Sequence, residues 1–170
     1  PLLVKLMRRN LELAEQLCVT LTEELDFVKT YIDLERKSMG VDFHFSLHMD
    51  AQMCPDSQQI PSMLIQMPVE NALKHALRGK EGERWLWIDI RQTPENQCHI
   101  EITDNGGGYN PTSPSRGTGT GLKAVMQTIQ ILNSRNSSHI EVSVRNVLLD
   151  NGETGCQVSF SVPANYRYEI

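Results

Sequence analysis

The chain has 170 residues, of which 39% are apolar and 22% are charged, and its net charge is −5 at pH 7. This length fits one main domain with an attached element, and the acidic balance argues against nucleic-acid binding. The four cysteines form neither a CxxC pair nor a zinc-type spacing, and no apolar stretch approaches the roughly 20 residues that cross a bilayer.

The first 40 residues predict two helices. Apolar residues from Leu3 to Leu17 recur at a spacing of about 3.5 residues, which is typical either of an ordinary amphipathic helix or of the end of a dimerisation helix. In the second helix, Thr20 and Glu23 match a capping box at the start. Gly40 is a natural stop for this helix.

A strand and a third helix follow. Alternating apolar residues predict a half-buried strand over 41–49. An apolar stripe then predicts a helix from about 60 to 77. Pro68 lies inside this stripe, and we expect a kink there because proline lacks the backbone N–H of the helical hydrogen bond.

Two strands and a loop come next. Alternating apolar residues over 86–90 and again over 100–102 predict the strands, which are joined by turn residues at 93–96. A stretch rich in glycine and proline then extends over 105–121. Its composition predicts a loop that separates these strands from the next helix.

The chain ends in a helix and a β-hairpin. Apolar residues share one face from Leu122 to Leu132. Two final strands, over 139–149 and 155–162, are joined by Asp150-Asn151-Gly152, which is a hairpin signal. The interleaved helices and strands predict an α/β protein, a two-layer α/β sandwich with a mixed sheet and an N-terminal helical extension.

The first motif that suggests chemistry is Glu70-Asn71-Ala72-Leu73-Lys74-His75, on the third predicted helix. Residues three and four positions apart share a helix face, so Asn71, Lys74 and His75 are expected to lie together. An amide oxygen, a carboxylate and an ammonium group suit Mg²⁺ and phosphate. The alternative interpretation is the solvated polar face of a core helix.

The second motif, Asp104-Asn105-Gly106-Gly107-Gly108, follows a strand. It indicates either a simple tight turn or a ligand pocket. In the second case, the Asp104 carboxylate would accept a hydrogen bond from the exocyclic amino group of adenine. Guanine presents an oxygen at that position and would be repelled, and the glycines would let the backbone approach the ligand.

The third motif, Gly117-Thr118-Gly119-Thr120-Gly121-Leu122, leads directly into a helix. Exposed N–H groups at a helix start bind anions, and glycines permit a backbone that surrounds phosphate. A flexible linker is the alternative. The pattern matches neither a P-loop nor a dinucleotide-binding fingerprint.

The order and spacing of the three motifs resemble the N, G1 and G2 boxes of the GHKL ATPase superfamily over roughly 21–163. The resemblance is closest to LytS-type sensor histidine kinases, in which a helix similar to 21–32 precedes the ATP domain and a segment similar to 60–71 leads to the N box. It implies the Bergerat fold, with helices on one face of the sheet. Residues 1–20 would be the tail of the dimerisation and phosphoacceptor region, and 21–170 the ATP-binding catalytic domain.

The resemblance also implies roles for individual residues. Glu70 would be the catalytic base or would orient water. Asn71 would ligate Mg²⁺, Lys74 would contact phosphate and His75 would lie nearby. Asp104 would bind the adenine amino group. The remaining residues expected to contact ATP belong to the two glycine-rich motifs: Gly106, Gly108, Gly117, Thr118, Gly119, Gly121 and Leu122.

The function implied by the resemblance is transfer of the γ-phosphoryl group of Mg-ATP to a histidine upstream of this sequence. A response regulator would then accept the phosphoryl group. The full-length protein would be a homodimer and a membrane-anchored sensor, with these residues in the cytoplasm and in contact with neither nucleic acid nor membrane. Another GHKL ATPase, an anti-sigma-type Ser/Thr kinase and a degenerate dimerisation module are the alternatives.

Two features depart from the family pattern. The family usually has Gln-Pro-Leu-Val-Glu-Asn, whereas Pro68 is shifted by one position in Gln66-Met67-Pro68-Val69-Glu70-Asn71. In addition, none of the five histidines precedes Phe-Leu-Phe-Asn, as the phosphoacceptor of LytS-type kinases does. Residues 109–116 would be a short mobile lid over ATP.

Overall fold

The computed structural model describes residues 3–5, 7–8, 16–108 and 120–170. Residues 3–5 and 7–8 are helical. The elements that follow are β1 (Cys18–Thr20), α1 (Leu21–Met39), β2 (Phe43–Met49), β3 (Gln59–Pro61), α2 (Gln66–Asn71), β4 (Arg84–Gln92), β5 (Cys98–Asp104), α3 (Thr120–Ser134), β6 (Glu141–Leu148) and β7 (Thr154–Val162). None of the helices in these ranges is long and apolar enough to cross a membrane.

The predicted capping box opens α1. The Thr20 hydroxyl accepts a hydrogen bond from the Glu23 backbone N–H at 3.2 Å, and the Glu23 carboxylate accepts one from the Thr20 N–H at 3.2 Å. These two bonds satisfy donors that a helix start otherwise leaves without partners. The helix ends at Gly40, whose φ of 85° disfavours residues other than glycine. Both predicted helix boundaries are therefore confirmed.

Five strands form the main sheet in the order β2-β4-β5-β7-β6. β2 and β4 are parallel, and all other neighbours are antiparallel. This arrangement confirms the mixed sheet and the α/β class. The last two strands form the predicted hairpin, with Leu149 N–H donating to the Glu153 carbonyl at 2.8 Å.

The sheet presents two different faces. On β4, Leu86, Ile88 and Ile90 are buried and join one hydrophobic core with apolar side chains of α1, α2 and α3. Full burial of one such side chain contributes about 1.5–3 kcal/mol. The alternate residues of β4, such as Trp85 and Trp87, are half-buried on the opposite side, which we call the open face.

The prediction of a helix over 60–77 is wrong for its first residues, and residues Ala72–Ala76 form a π-helical turn instead of an α-helix. Residues Gln59–Pro61 form β3, which pairs antiparallel with β1, and α2 begins only at Gln66. Pro68 therefore lies in the first turn of α2, where proline is better tolerated than in a helix interior, and the expected kink stays a prediction. The cause of the difference is the pairing of β1 with β3, which is a contact between segments distant in sequence.

Candidate functional site

The first motif lies at the end of α2 and in a π-helical turn, Ala72–Ala76, that follows it. The turn is closed by a bond from Leu77 N–H to the Ala72 carbonyl, five residues earlier, at 2.9 Å. π-Turns of this kind occur frequently at functional sites. Lys74 and His75 lie within the turn and are exposed, so the α-helical spacing on which their shared face with Asn71 was predicted does not extend to them.

Glu70 and Asn71 occupy the last two positions of α2, and both are half-buried. The Glu70 carboxylate is held in place by Gln66, whose side-chain amide donates to Glu70 Oε1 at 3.2 Å. Gln66 is itself buried at the first position of the helix. Gln66, at the start of α2, thus orients the carboxylate of Glu70 near the end of the same helix.

The second motif follows β5, whose last residue is Asp104. The Asp104 side chain is 4% exposed. One of its oxygens, Oδ1, accepts the Gly106 backbone N–H at 2.9 Å, which closes a tight turn of the kind expected for this residue. This bond supports the turn interpretation, and Asp104 is not among the residues that line the cleft described below.

Glycine is required where the second motif meets the first. A Cβ atom added at Gly106 would lie 2.6 Å from both the Cβ and the carbonyl oxygen of Ala76, the last residue of the π-turn. Gly108 has φ of 88° and lies against Asn146 and Thr154. The glycines therefore allow the loop after β5 to pack between the end of the π-turn and the start of β7.

A cleft of about 440 Å³ lies at this junction. His75 and Gly106, both predicted site residues, line it together. The full lining, which we call the motif cleft, is His75, Ala76, Gly79, Lys80, Asn105, Gly106, Gly107, Glu153 and Thr154. The structure therefore brings together parts of two motifs that are about 30 residues apart in the sequence.

Sequence reasoning did not assign a role to Asn105, which is buried beside the motif cleft. Its amide nitrogen donates to the Glu83 carbonyl at 2.9 Å, and its Oδ1 accepts the Trp85 N–H at 2.8 Å. Asn105 thus fixes the loop after β5 to the start of β4. An Asn beside Asp and Gly is a common turn residue, so the motif alone gives no signal for this role.

Lys80 and Glu153 were also missed. Lys80 Nζ lies 2.8 Å from Glu153 Oε2, and this pair closes one side of the motif cleft. The hydrogen bond from Lys80 lowers the pKa of Glu153, which keeps this carboxylate ionised. The two residues belong to segments distant in the sequence, so no local pattern identifies them.

A magnesium ion would need oxygen ligands here. Within the described ranges, no group of three or more His, Cys, Asp or Glu side chains is arranged to hold a metal ion. Glu70 and Asn71 do offer a carboxylate and an amide oxygen at neighbouring, half-buried positions. That donor set fits Mg²⁺, which is usually bound by one or two protein oxygens and completes its shell with water and phosphate.

The third motif falls mostly outside the described residues. Gly117, Thr118, Gly119 and the predicted lid over 109–116 are not among them. Thr120 and Gly121 are the first described residues of α3, and the point at which the helix starts lies outside the described residues. Leu122 is half-buried and packs against the hydrophobic core.

Comparison with known families gives a match over residues 58–166. The matching family is described as "Histidine kinase-, DNA gyrase B-, and HSP90-like ATPase". The matched range includes α2, the π-turn, both glycine-rich motifs and the strands β3 to β7. It therefore contains every predicted site residue.

The chain is similar to several curated sensor proteins. It is 29% identical to the sensor protein LytS of Bacillus subtilis (strain 168) over 95% of this chain and 27% of that protein. It is 30% identical to LytS of Staphylococcus epidermidis over 71% of this chain and 22% of that protein. The chain thus spans about a quarter of the length of these relatives.

Solved structures share the fold. The histidine kinase domain of the blue-light activated histidine kinase from Erythrobacter litoralis EL346 superposes with a TM-score of 0.62 at 17% identity, over 88% of this chain and 64% of that chain. The histidine kinase ThkA, solved in complex with the response regulator protein TrrA, gives 0.56 at 12% identity, over 98% of this chain and 48% of that one. These likenesses confirm the predicted two-layer architecture.

Proposed function

Since the chain belongs to the histidine kinase-, DNA gyrase B- and HSP90-like ATPase family, we propose that it is the ATP-binding catalytic domain of a sensor histidine kinase. Its reaction would be transfer of the γ-phosphoryl group of ATP to a histidine upstream of these residues in the full protein. The observation that carries the proposal is the contact of Gly106 with Ala76 at the motif cleft. This contact joins the motif proposed for adenine to the end of the π-turn that carries Lys74 and His75.

Adenine recognition is assigned to Asp104 and the loop that follows it. A carboxylate accepts hydrogen bonds only, so it pairs with the amino group of adenine and repels the oxygen of guanine. The burial of Asp104 strengthens this discrimination because an unsatisfied partner in a buried site is costly. Gly106 and Gly108 shape the pocket by allowing the backbone to pass close to its walls.

Metal and phosphate binding are assigned to the first and third motifs. Asn71 would ligate Mg²⁺, which neutralises charge on the phosphates, and Lys74 and His75 would contact or lie near the phosphates. The third motif leads into α3, which is helical from Thr120 onward among the described residues, and exposed N–H groups near a helix start bind anions. In that segment the proposed contacts are Gly117, Thr118, Gly119, Gly121 and Leu122.

The proposed chemistry depends mainly on position and charge. Phosphoryl transfer requires the donor and acceptor to be held in line while the charge of the phosphates is neutralised. Glu70, oriented by Gln66, is proposed as the group that accepts the acceptor's proton or orients a water molecule. All these side chains are supplied by this chain, whereas the acceptor histidine is not.

The partners are proposed from the relatives. ThkA was solved in complex with a response regulator, and we infer that the full-length protein likewise passes its phosphoryl group to a response regulator. We also infer a homodimer and a membrane-anchored sensor, of which these residues form a cytoplasmic domain.

The test is calorimetric titration of the purified chain with Mg-ATP and Mg-GTP. We expect ATP-selective binding that weakens about tenfold to a hundredfold in Asp104→Asn, as is typical for loss of a charged hydrogen bond. In Asn71→Ala the gain in affinity from Mg²⁺ should disappear. Asp89→Asn, a matched change on the open face, should bind as wild type does. Equal affinity for ATP and GTP, or no binding by the folded chain, would contradict the proposal.

A further inference from the structure

Glu24 is a carboxylate that the proposed function does not use. It lies in the first turn of α1, and its side chain is fully buried, at 0% exposure. A carboxylate in an apolar interior is costly unless hydrogen bonds compensate for the lost water. Its presence there calls for a specific partner.

That partner is the start of α2. The Ile65 backbone N–H donates to Glu24 Oε2 at 3.0 Å, across 41 residues of sequence. Burial raises the pKa of Glu24 to about 7, while hydrogen bonds from the backbone N–H groups of Ile65, Gln66 and Met63 lower it. Glu24 thus accepts, through Oε2, N–H groups at the approach to α2 and at its start, while Oε1 has no hydrogen-bond partner within the described residues.

α2 has no capping side chain of its own. Its N-cap residue is Ile65, which offers no acceptor and makes no side-chain cap hydrogen bond. A helix start without acceptors is unfavourable because up to four N–H groups lack partners. Glu24 Oε2, supplied from another helix, accepts the Ile65 N–H in place of the missing cap.

The contact continues to the proposed catalytic end of α2. The Gln66 backbone N–H bonds to Glu24, and the Gln66 side chain donates to Glu70 Oε1 at 3.2 Å. Asn71 follows directly on the same helix, which with the π-turn spans residues 66–76. A helix this short is positioned mainly by its surroundings rather than by its own stability.

We propose that Glu24 is a positioning residue for the magnesium and phosphate part of the site. It fixes the first turn of α2 and, through Gln66, sets the position of Glu70 and Asn71. This inference rests on the proposed function, because it assigns Glu70 and Asn71 to Mg-ATP.

Further contacts tie the approach to α2 to the chain just before Glu24. Ser62 N–H donates to the Leu17 carbonyl at 3.1 Å, and the Ser62 hydroxyl donates to the Gln16 carbonyl at 2.6 Å. Leu21 N–H donates to the Gln58 carbonyl at 2.8 Å. A displacement of residues 16–24 would therefore be passed to α2.

The experiment compares ATP affinity with Mg²⁺ and with EDTA in wild type, Glu24→Ala, Glu24→Gln and Ile32→Ala. We expect Glu24→Ala to lower the gain in affinity from Mg²⁺ about tenfold, since small displacements of site groups have effects of this order. ATP affinity in EDTA, which reflects adenine binding, should stay within about twofold. Glu24→Gln should restore part of the gain because its carbonyl can still accept the Ile65 N–H.

Ile32→Ala is the matched control, since Ile32 is a buried apolar residue of the same helix. It should lower the melting temperature without a selective loss of the Mg²⁺-dependent gain.

In an Asn71→Ala background, Glu24→Gln should have no further effect. The role of Glu24 would be overturned if Mg²⁺ raised ATP affinity in both Glu24 variants as much as in wild type. It would also be overturned if Ile32→Ala lost as much of this Mg²⁺-dependent gain as Glu24→Ala does. Either result would leave the proposed function intact. No ATP binding by wild type would instead reject the proposed function and, with it, this inference. If Glu24→Ala does not fold, Glu24→Gln decides between these outcomes.

Discussion

The motif cleft and a cleft on the open face of the sheet differ in what lines them. The open-face cleft is somewhat larger, about 580 Å³ against about 440 Å³. It is lined mostly by side chains of regular strands and of the β6–β7 hairpin, among them Trp85 and Trp87, whose rings stack with centroids 5.4 Å apart. The motif cleft is lined by a glycine loop, a π-turn and an ion pair.

This difference shows why volume alone does not identify the site. Strand backbone is already paired within the sheet, so the open face offers a ligand mainly side chains. The motif cleft also offers backbone at close range, because Gly106 and Gly107 carry no side chain that would cover it. Phosphates and adenine are bound through such exposed backbone together with a few polar groups. We therefore expect nucleotide binding at the motif cleft and not at the open face.

The largest effect should come from Gly106→Ala. Its Cβ would meet Ala76 at 2.6 Å, so the loop after β5 or the π-turn must shift. We expect ATP affinity to fall about a hundredfold and stability to fall by roughly 1–3 kcal/mol, measured by calorimetry and thermal unfolding. Gly79→Ala is the matched control, because Gly79 lines the same cleft with nothing within 4 Å of an added Cβ. Equal effects of the two changes would refute the steric contact between the motifs.

A smaller effect should come from Lys80→Met, which removes the ion pair with Glu153. The pair lies partly in solvent, so we expect ATP affinity to fall only about two- to threefold. The sign of the pH dependence follows from the lowered pKa of Glu153. Because the pKa of Glu153 is lowered in the folded state, the pair stabilises the fold at pH values above 4.5, the pKa of the unfolded state. This contribution is lost as the pH falls through the pKa of the folded state.

Thermal unfolding at several pH values tests this account of Lys80. At pH 7 the melting temperature of wild type should be higher than that of Lys80→Met. The two melting temperatures should converge well below pH 4.5. Glu153→Gln should behave as Lys80→Met does, because either change removes the same pair. A difference between wild type and Lys80→Met that persists at low pH would mean that Lys80 acts through other contacts, such as its bond to the Glu83 carbonyl.

Local patterns predicted the parts of the fold that local chemistry determines. The capping box at Thr20 and the hairpin before β7 depend on neighbouring residues, and both are confirmed. The helix over 60–77 was predicted too long because its first residues pair with β1 instead. That pairing joins distant segments, which periodicity within one segment does not report.

The site shows the same division. The motifs themselves identified Asp104 and Gly106, and the structure places Gly106 in the motif cleft. Lys80 and Glu153 reach the cleft from segments far apart, and Glu24 reaches α2 across 41 residues. Each of these contacts depends on the folded chain, so residue type and spacing could not have predicted them.

The smallest effect on nucleotide binding should come from Trp87→Ala on the open face. Trp87 is half-buried and stacks on Trp85, so its loss should cost about 2 kcal/mol of stability. ATP affinity should nevertheless stay within about twofold, because Trp87 does not line the motif cleft. Calorimetry at a temperature well below the melting point separates the two effects. A large loss of ATP affinity in folded Trp87→Ala would place nucleotide at the open face and reverse the comparison of the two clefts.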